Sequence, residues 1–546
     1  MNVKLSIYTL IIALVAGSCA AYKDDFYRSE KNYPPSKSEG SSRDQLAQSP
    51  ARNRPVEEYE ESAIGSNKDK KQVNQPEITV KKEVKKGDVD EDRGRNTEDF
   101  RNYGVNPLTK TSDDRFSTFS IDVDTASYAI ARKKINAGYL PPVASVRVEE
   151  FLNYFQYDYP SPEEGAFSVH MEGAPSPFTA KSGHYIMRVG VQGKRISRAM
   201  RKPVHLTFLV DVSGSMSAAD KLPLAQRALN ILVDNLKSGD TVALSTYAGH
   251  TAEILQPTGV DQKAKIKSAI EQLRSGGGTG MSSGMESAYK SAMKNFQKSH
   301  VNRVIILSDG DANIGPKSHE AILSRIKHFA DEGITLSTIG LGMGNYKDTM
   351  MEQLANKGNG NYYYIDSAKE AKKIFGSQLD GTLQVIAKDV KIQVEFDAEK
   401  VEEYRLIGYE NRDIADEDFR NDRVDAGEIG AGHSVSALYE LKLKKGSEGK
   451  LAVVRIRAKK PDGDKASELA FDLMRSNLRN KLSGASKDFQ FQIGVAEFAE
   501  VLRKSPYAEG LSLALIEEII QPNLAGKEDR LELMALLKKV KKLSVN

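Results

Sequence analysis

The chain has 546 residues, more than one ordinary hydrophobic core accommodates, so two to four domains are expected. Its 78 basic and 75 acidic side chains nearly cancel, and a formal charge of +3 leaves no electrostatic footprint for nucleic acid. The one cysteine, Cys19, excludes disulfides, cysteine zinc sites and a cysteine nucleophile from the domains that follow it.

Lys4 and the apolar run at 5–16 open the chain, and that run is too short to span a membrane as a permanent helix. The following "AGSC" resembles the lipobox of bacterial lipoproteins, although Ala16 stands where leucine is usual. The resemblance implies a signal peptide over 1–19 that is cut before Cys19. It also implies acylation of that cysteine and anchoring to the outer membrane of the cell envelope, with surface exposure as one outcome. Ordinary secretion with an incidental cysteine is the alternative. Residues 20–103 are rich in Lys, Glu, Asp, Ser, Asn and Pro and poor in large apolar side chains, so they read as a disordered tether. Such a tether has an r.m.s. reach of about 50 Å.

Residues 104–202 read as a β-rich segment. A strand and a short helix are expected within "FSTFSIDVDTASYAIARKKINAG", and two strands in "FSVHMEG" and "HYIMRVGVQG". The block 203–386 alternates uniformly apolar runs with amphipathic stretches. "HLTFLV", "TVALSTYA", "RVIILS", "ITLSTIGLG" and "NYYYID" are strands of the kind buried on both faces. Between them, Met285, Ala288, Tyr289, Ala292, Met293 and Phe296 mark the core face of a helix, and "SAKE" from Ser367 reads as a capping box. The alternation predicts an α/β doubly wound, mostly parallel sheet with its site at the carboxyl ends of the strands. Over 387–546 the period changes to two, with Val390, Ile392, Val394 and Phe396 inward, and the chain finishes in helices. The lysines of the last helix, Lys538, Lys539, Lys541 and Lys542, read as its solvated end.

The first strand of the α/β block runs into Asp211, Ser213 and Ser215 in "FLVDVSGSM". "SGGGTGMSSG" places Thr279 in a glycine-rich loop, and "IILSDGDAN" ends a strand on Asp309. Three oxygen-bearing loops at one sheet edge, without His or Cys, suit Mg²⁺ or Mn²⁺ rather than zinc. The carboxylate of Asp211 is expected at the sheet's exposed edge, outside the core.

This set, D-x-S-x-S followed by a threonine and a later aspartate, resembles the metal-ion-dependent adhesion site of the von Willebrand factor type A domain. "FSTFSIDVDTASYA" and "LPPVASVRVEEFLNYFQYDYP" extend the resemblance to a bacterial family with a segment before that domain and another domain after it. The resemblance implies direct metal ligation by Ser213 and Ser215 and direct or water-mediated ligation by Thr279. It implies that Asp211 and Asp309 act through water. A divalent ion so held, Mg²⁺ or in its place Mn²⁺ or Ca²⁺, stays electrophilic and accepts a carboxylate from a protein partner.

"DVDT" at 122–125 misses the aspartyl-phosphatase pattern by one position and reads as a turn or cap. "DGDANIG" lacks the spacing and the glutamate of a calcium loop, and "VSGSM" lacks the frame of a nucleophile elbow. No candidate base stands beside the serines in sequence. The expectation is a non-enzymatic binding protein. A metal-stabilised assembly factor and a metal-dependent hydrolase are its rivals.

Overall fold

The computed structural model describes residues 97–179, 183–278, 280–311 and 316–544. Cys19, the expected signal peptide, the tether up to residue 96 and Thr279 lie outside the described residues.

Six strands form the central sheet, in the spatial order Tyr362–Tyr364, Ile334–Gly340, Val301–Ser308, Val204–Asp211, Thr241–Tyr247, Thr251–Gly259. All pairings are parallel except the last, where Thr251–Gly259 runs antiparallel along the edge. Sequence reading missed this edge strand. Its charged and proline-bearing "TAEILQPTG" leaves most side chains partly or fully exposed, so it lacks the apolar run of its neighbours. Along Val204–Asp211, Leu206, Phe208 and Val210 join one core with helices Leu222–Asn235 and Lys263–Glu271, whereas Leu209 joins another with Met281–Lys294 and Pro316–Asp331. Covering on both faces is what makes each strand apolar throughout.

Helix Met281–Lys294 buries Met285, Ala288, Tyr289 and Ala292, but Met293 is 45% exposed and not part of the buried stripe. Tyr289 stacks on Phe329 within the core, and Met293, one step further round the helix, falls at the edge of the buried stripe. The Ser367 hydroxyl accepts the N–H of Glu370 at 3.2 Å, capping the helix that follows.

The segments before and after the α/β block are interleaved. Strand Phe116–Ser120 pairs with Val385–Phe396, and His184–Gly193 pairs with Ser434–Leu443. One sheet is ordered Thr109–Lys110, Val401–Ile407, Ser434–Leu443, His184–Gly193, Phe167–Pro175. The other is ordered Gly427–Gly430, Val385–Phe396, Lys450–Lys459, Ala466–Met474. Phe119, Val189, Ile392, Val394, Tyr439 and Leu441 share a core between them, so the flanks form one composite sandwich. A further core joins helices Ala126–Asn136 and Val148–Tyr154 to the C-terminal helices Lys487–Leu502, Leu513–Ile520 and Glu528–Leu543. In the last helix, Lys541 pairs with Glu517 at 2.7 Å and Lys539 donates to Asn136 Oδ1 at 2.7 Å.

Order begins before residue 104, the expected end of the tether. Thr97 N–H donates to Gly344 O at 2.8 Å and Asp99 N–H to Tyr346 O at 2.9 Å, while Phe100 packs beside Tyr346 and Met351. Those backbone bonds and one aromatic side chain supply what the polar composition hides.

Candidate metal centre

In this strand order the sheet's topological switch point falls between Val204–Asp211 and Val301–Ser308, where loops leave in opposite directions and open a crevice. Asp211 ends the first strand and Asp309 follows the second, so the two carboxylates flank the crevice.

Asp211 is fully buried, contrary to the expected exposed edge. Its Oδ1 accepts the N–H of Ser213 at 2.9 Å, and its Oδ2 accepts the hydroxyls of Tyr247 at 3.0 Å and Ser308 at 2.9 Å. Tyr247 ends the neighbouring parallel strand and Ser308 the other neighbour, so Asp211 is roofed by the strands on either side. Burial raises its carboxyl above the ordinary carboxylate range, the bonds from Ser213 pull it back, and the charge of Asp309 adds to the rise. Tyr247 and Ser308 were missed in the sequence, although each stands at a strand terminus and bears a hydroxyl.

With Asp211 Oδ1 fixing the backbone of the turn, the Ser213 and Ser215 hydroxyls come to 3.0 Å of each other. The glycine-rich loop docks onto the same turn: Gly276 N–H donates to Val212 O at 2.7 Å, and Gly214 N–H donates to Gly277 O at 3.1 Å. This brings the loop that carries Thr279 to the serines, while Thr279 itself lies outside the described residues.

Asp309 is also fully buried. Asp311 N–H donates to its Oδ1 at 3.1 Å; Lys221 Nζ at 2.9 Å and Asn345 Nδ2 at 3.1 Å donate to its Oδ2. Burial alone would raise the Asp309 carboxyl, but the hydrogen bond and charge of Lys221 hold it below the usual range. Lys221 also donates to Asn345 Oδ1 at 2.8 Å, and Asn345 to Asp311 Oδ2 at 3.0 Å. The lysine stem lies over Gly342, where a Cβ would come within 2.3 Å of Lys221 Cε. Lys221 and Asn345 carried no signal in the sequence. A lysine at a helix start reads as solvated, and an asparagine among glycines reads as a turn.

The donor set fits a hard divalent cation. It consists of two hydroxyls 3.0 Å apart and two buried carboxylates whose oxygens accept from protein donors, all of it hard oxygen.

The α/β block matches the family model described as "von Willebrand factor type A domain" over residues 205–377, and a model described as "von Willebrand factor" covers 94–186. The protein therefore has a von Willebrand factor type A fold with a flanking β-rich region. Residues 381–450 and 442–543 match the model described as "Uncharacterized protein YfbK, C-terminal". The YfbK protein of Escherichia coli (strain K12) is 36% identical over 449 residues, 77% of each chain, and this chain belongs to its family. The sll0103 protein of Synechocystis is 26% identical over 189 residues, which is 35% of this chain and 44% of that one. Among solved structures, a von Willebrand factor type A protein from Catenulispora acidiphila is 16% identical, covers 70% of this chain and 91% of its own, and superposes with a TM-score of 0.41. BatB from Bacteroides thetaiotaomicron is 23% identical over 32% of this chain and 95% of its own, with a TM-score of 0.27.

Proposed function

We propose that this chain is a lipid-anchored cell-envelope protein, not an enzyme, that binds a protein partner through a divalent cation. Mg²⁺ is the favoured ion, with Mn²⁺ or Ca²⁺ in its place. Ser213, Ser215 and Thr279 hold it, Asp211 and Asp309 act through water, and an acidic side chain of the partner completes the sphere. The observation that carries this reading is the 3.0 Å approach of the Ser213 and Ser215 hydroxyls, fixed in front of an Asp211 whose oxygens are both occupied. Family membership supports a von Willebrand factor type A site at this place. Under-neutralisation keeps the ion electrophilic towards a further carboxylate.

The complete burial of Asp211 favours a second reading, in which the ion stabilises the fold of an envelope assembly factor. Capture of envelope proteins by wild type and by Ser213→Ala, each in Mg²⁺ and in EDTA, separates the two. Adhesion requires capture that is lost in EDTA and in the variant. A structural ion predicts a lower melting temperature with capture intact. For the anchor, Cys19→Ser should move the protein from the membrane fraction to the soluble one.

A further inference from the structure

"DVDT" and "VRVEEF", which the adhesion site does not use, meet in the interior. Asp122, Glu149 and Glu150 are all buried, Glu149 and Glu150 completely, and each offers a carboxylate oxygen within 4.8 Å of the other two. That separation is about the distance across a Ca²⁺ coordination sphere, twice 2.3–2.6 Å.

The surroundings neutralise these groups only in part, and Arg503, the further guanidinium whose charge reaches Glu149, is itself paired with Glu410 and Glu500. Arg412 reaches Asp122 at 3.2 Å, Asp124 at 2.9 Å and Glu352 at 3.7 Å, and Arg147 binds Glu150 and Asp348. Five buried carboxylates therefore share two guanidinium groups, and the buried Glu149 forms an ion pair with neither. Backbone donors take part of the deficit: Asp124 N–H bonds Asp122 Oδ1 at 2.8 Å, Ser127 N–H bonds Glu150 Oε2 at 2.8 Å, and Tyr409 N–H bonds Glu149 Oε2 at 2.9 Å. Gly408, at φ +83°, permits that last approach, since a Cβ there would lie 2.6 Å from Glu149 Oε2. What remains is Glu149 Oε1, fully enclosed and without any partner among the described residues; Glu352 Oε2 is orphaned in the same way. An orphaned carboxylate oxygen inside a low-dielectric interior is costly unless something positive meets it. A cavity of about 250 Å³ adjoins the cluster at Glu149; Glu410 and Tyr103 line it together with the basic Arg101, Arg147, Arg503 and Lys504.

We propose that Asp122, Glu149 and Glu150 form a second, structural cation site, separate from the serine site, that takes Ca²⁺. The donors are all oxygen and negatively charged, which excludes soft metals, and Ca²⁺ accepts an all-protein cage more readily than Mg²⁺, which retains its waters. The site lies where the N-terminal segment, carrying Asp122, Glu149 and Glu150, meets the C-terminal region through Tyr409 and Arg412 and the α/β block through Asp348 and Glu352. Its ion would pin the composite domain to the sheet that carries the adhesion site. Without an ion, burial and neighbouring acids push Glu149 up to about 8 and Glu150 up to about 7, so protons are the rival occupant.

The test is Ca²⁺ stoichiometry, measured by equilibrium dialysis and elemental analysis on the full chain. The Ser213→Ala/Ser215→Ala variant, which removes both hydroxyls of the adhesion site and keeps the hydrogen bonds of Asp211, should keep one Ca²⁺ per chain. Adding Glu149→Gln or, where that variant fails to fold, Asp122→Asn should bring the count to zero. If the adhesion-site variant binds no Ca²⁺, or if the added substitution leaves the count unchanged, the second site does not exist. Raised thermal stability of Glu149→Gln with an unchanged ion count would assign the cluster to protons and overturn the proposal. The outcome is independent of the adhesion reading, which stands or falls on partner capture by wild type and Ser213→Ala.

Discussion

Lys221 Nζ lies 2.9 Å from Asp309 Oδ2, an ion pair enclosed at the centre of the candidate metal site. A fixed ammonium there does two opposing things. It holds Asp309 ionised and oriented when the site contains no metal, and it repels a divalent ion that approaches the same carboxylate.

Lys221→Met should therefore destabilise the metal-free protein, by about 3–5 kcal/mol if the buried carboxylate is left unpaired. It should also tighten Mg²⁺ binding. The measurement is thermal unfolding in EDTA and across a Mg²⁺ titration. A larger Mg²⁺-induced rise for the variant than for wild type is expected, and an equal rise would show that the lysine has no electrostatic contact with the ion.

Asp211 and Ser213 should separate under substitution. Asp211→Ala leaves three buried donors, Ser213 N–H and the hydroxyls of Tyr247 and Ser308, without an acceptor. At about 1–3 kcal/mol for each unsatisfied group, a loss of at least ~3 kcal/mol in EDTA is expected. Ser213→Ala removes a hydroxyl that bonds Ser215 Oγ and supports Asp211 but leaves those three donors paired, so it should cost less, about 1 kcal/mol. Urea unfolding of both variants in EDTA checks the order. Equal losses would mean that Asp211 is not the post on which the turn is built.

Arg132 ties three parts of the chain together. From helix Ala126–Asn136 it bonds Asp366 at 2.6 and 2.7 Å, Glu370 at 2.7 Å, Tyr154 Oη at 2.6 Å and Glu532 at 2.9 Å. Arg132→Met keeps most of the stem and removes the charge, which should cost about 3–5 kcal/mol because Asp366 and Glu370 stay buried. A midpoint within error of wild type in urea would contradict a buried network that joins the flanks to the α/β block.

His433 should make the fold acid-sensitive. Burial, with the charge of Arg303 in support, lowers its pKa from 6.5 to about 4, and its Nδ1 is enclosed without a partner among the described residues. The folded-state value is the depressed one, so the unfolded chain binds the extra proton between those limits. Stability is then full above about pH 6.5 and is lost as pH falls towards 4, by up to ~3 kcal/mol. The ring packs against Gly381 of helix Leu379–Leu383, where a Cβ would lie 2.6 Å away. Unfolding free energies of wild type and His433→Gln across pH 4–7 test this, with a flatter dependence expected for the variant.

The amino-acid sequence by itself determined the parallel strands of the α/β block and the oxygen-bearing motifs at their ends. Uniform apolar runs in Val204–Asp211 and Val301–Ser308 are a local consequence of burial on two faces, and D-x-S-x-S is contiguous, so both are readable from neighbours in the chain. Tertiary structure alone decided the rest. Phe116–Ser120 finds its partner in Val385–Phe396 across the whole α/β block, and hydropathy carries no record of pairing at that separation. The burial of Asp211 depends on Tyr247 and Ser308, which the strand order brings to either side of it. Lys221 is indistinguishable in sequence from any solvated lysine; it becomes part of the site because Gly342 and Asn345 leave a slot that ends on Asp309. Periodicity records how much of a side chain is covered, whereas the identity of what covers it is set by contacts between residues far apart in the chain.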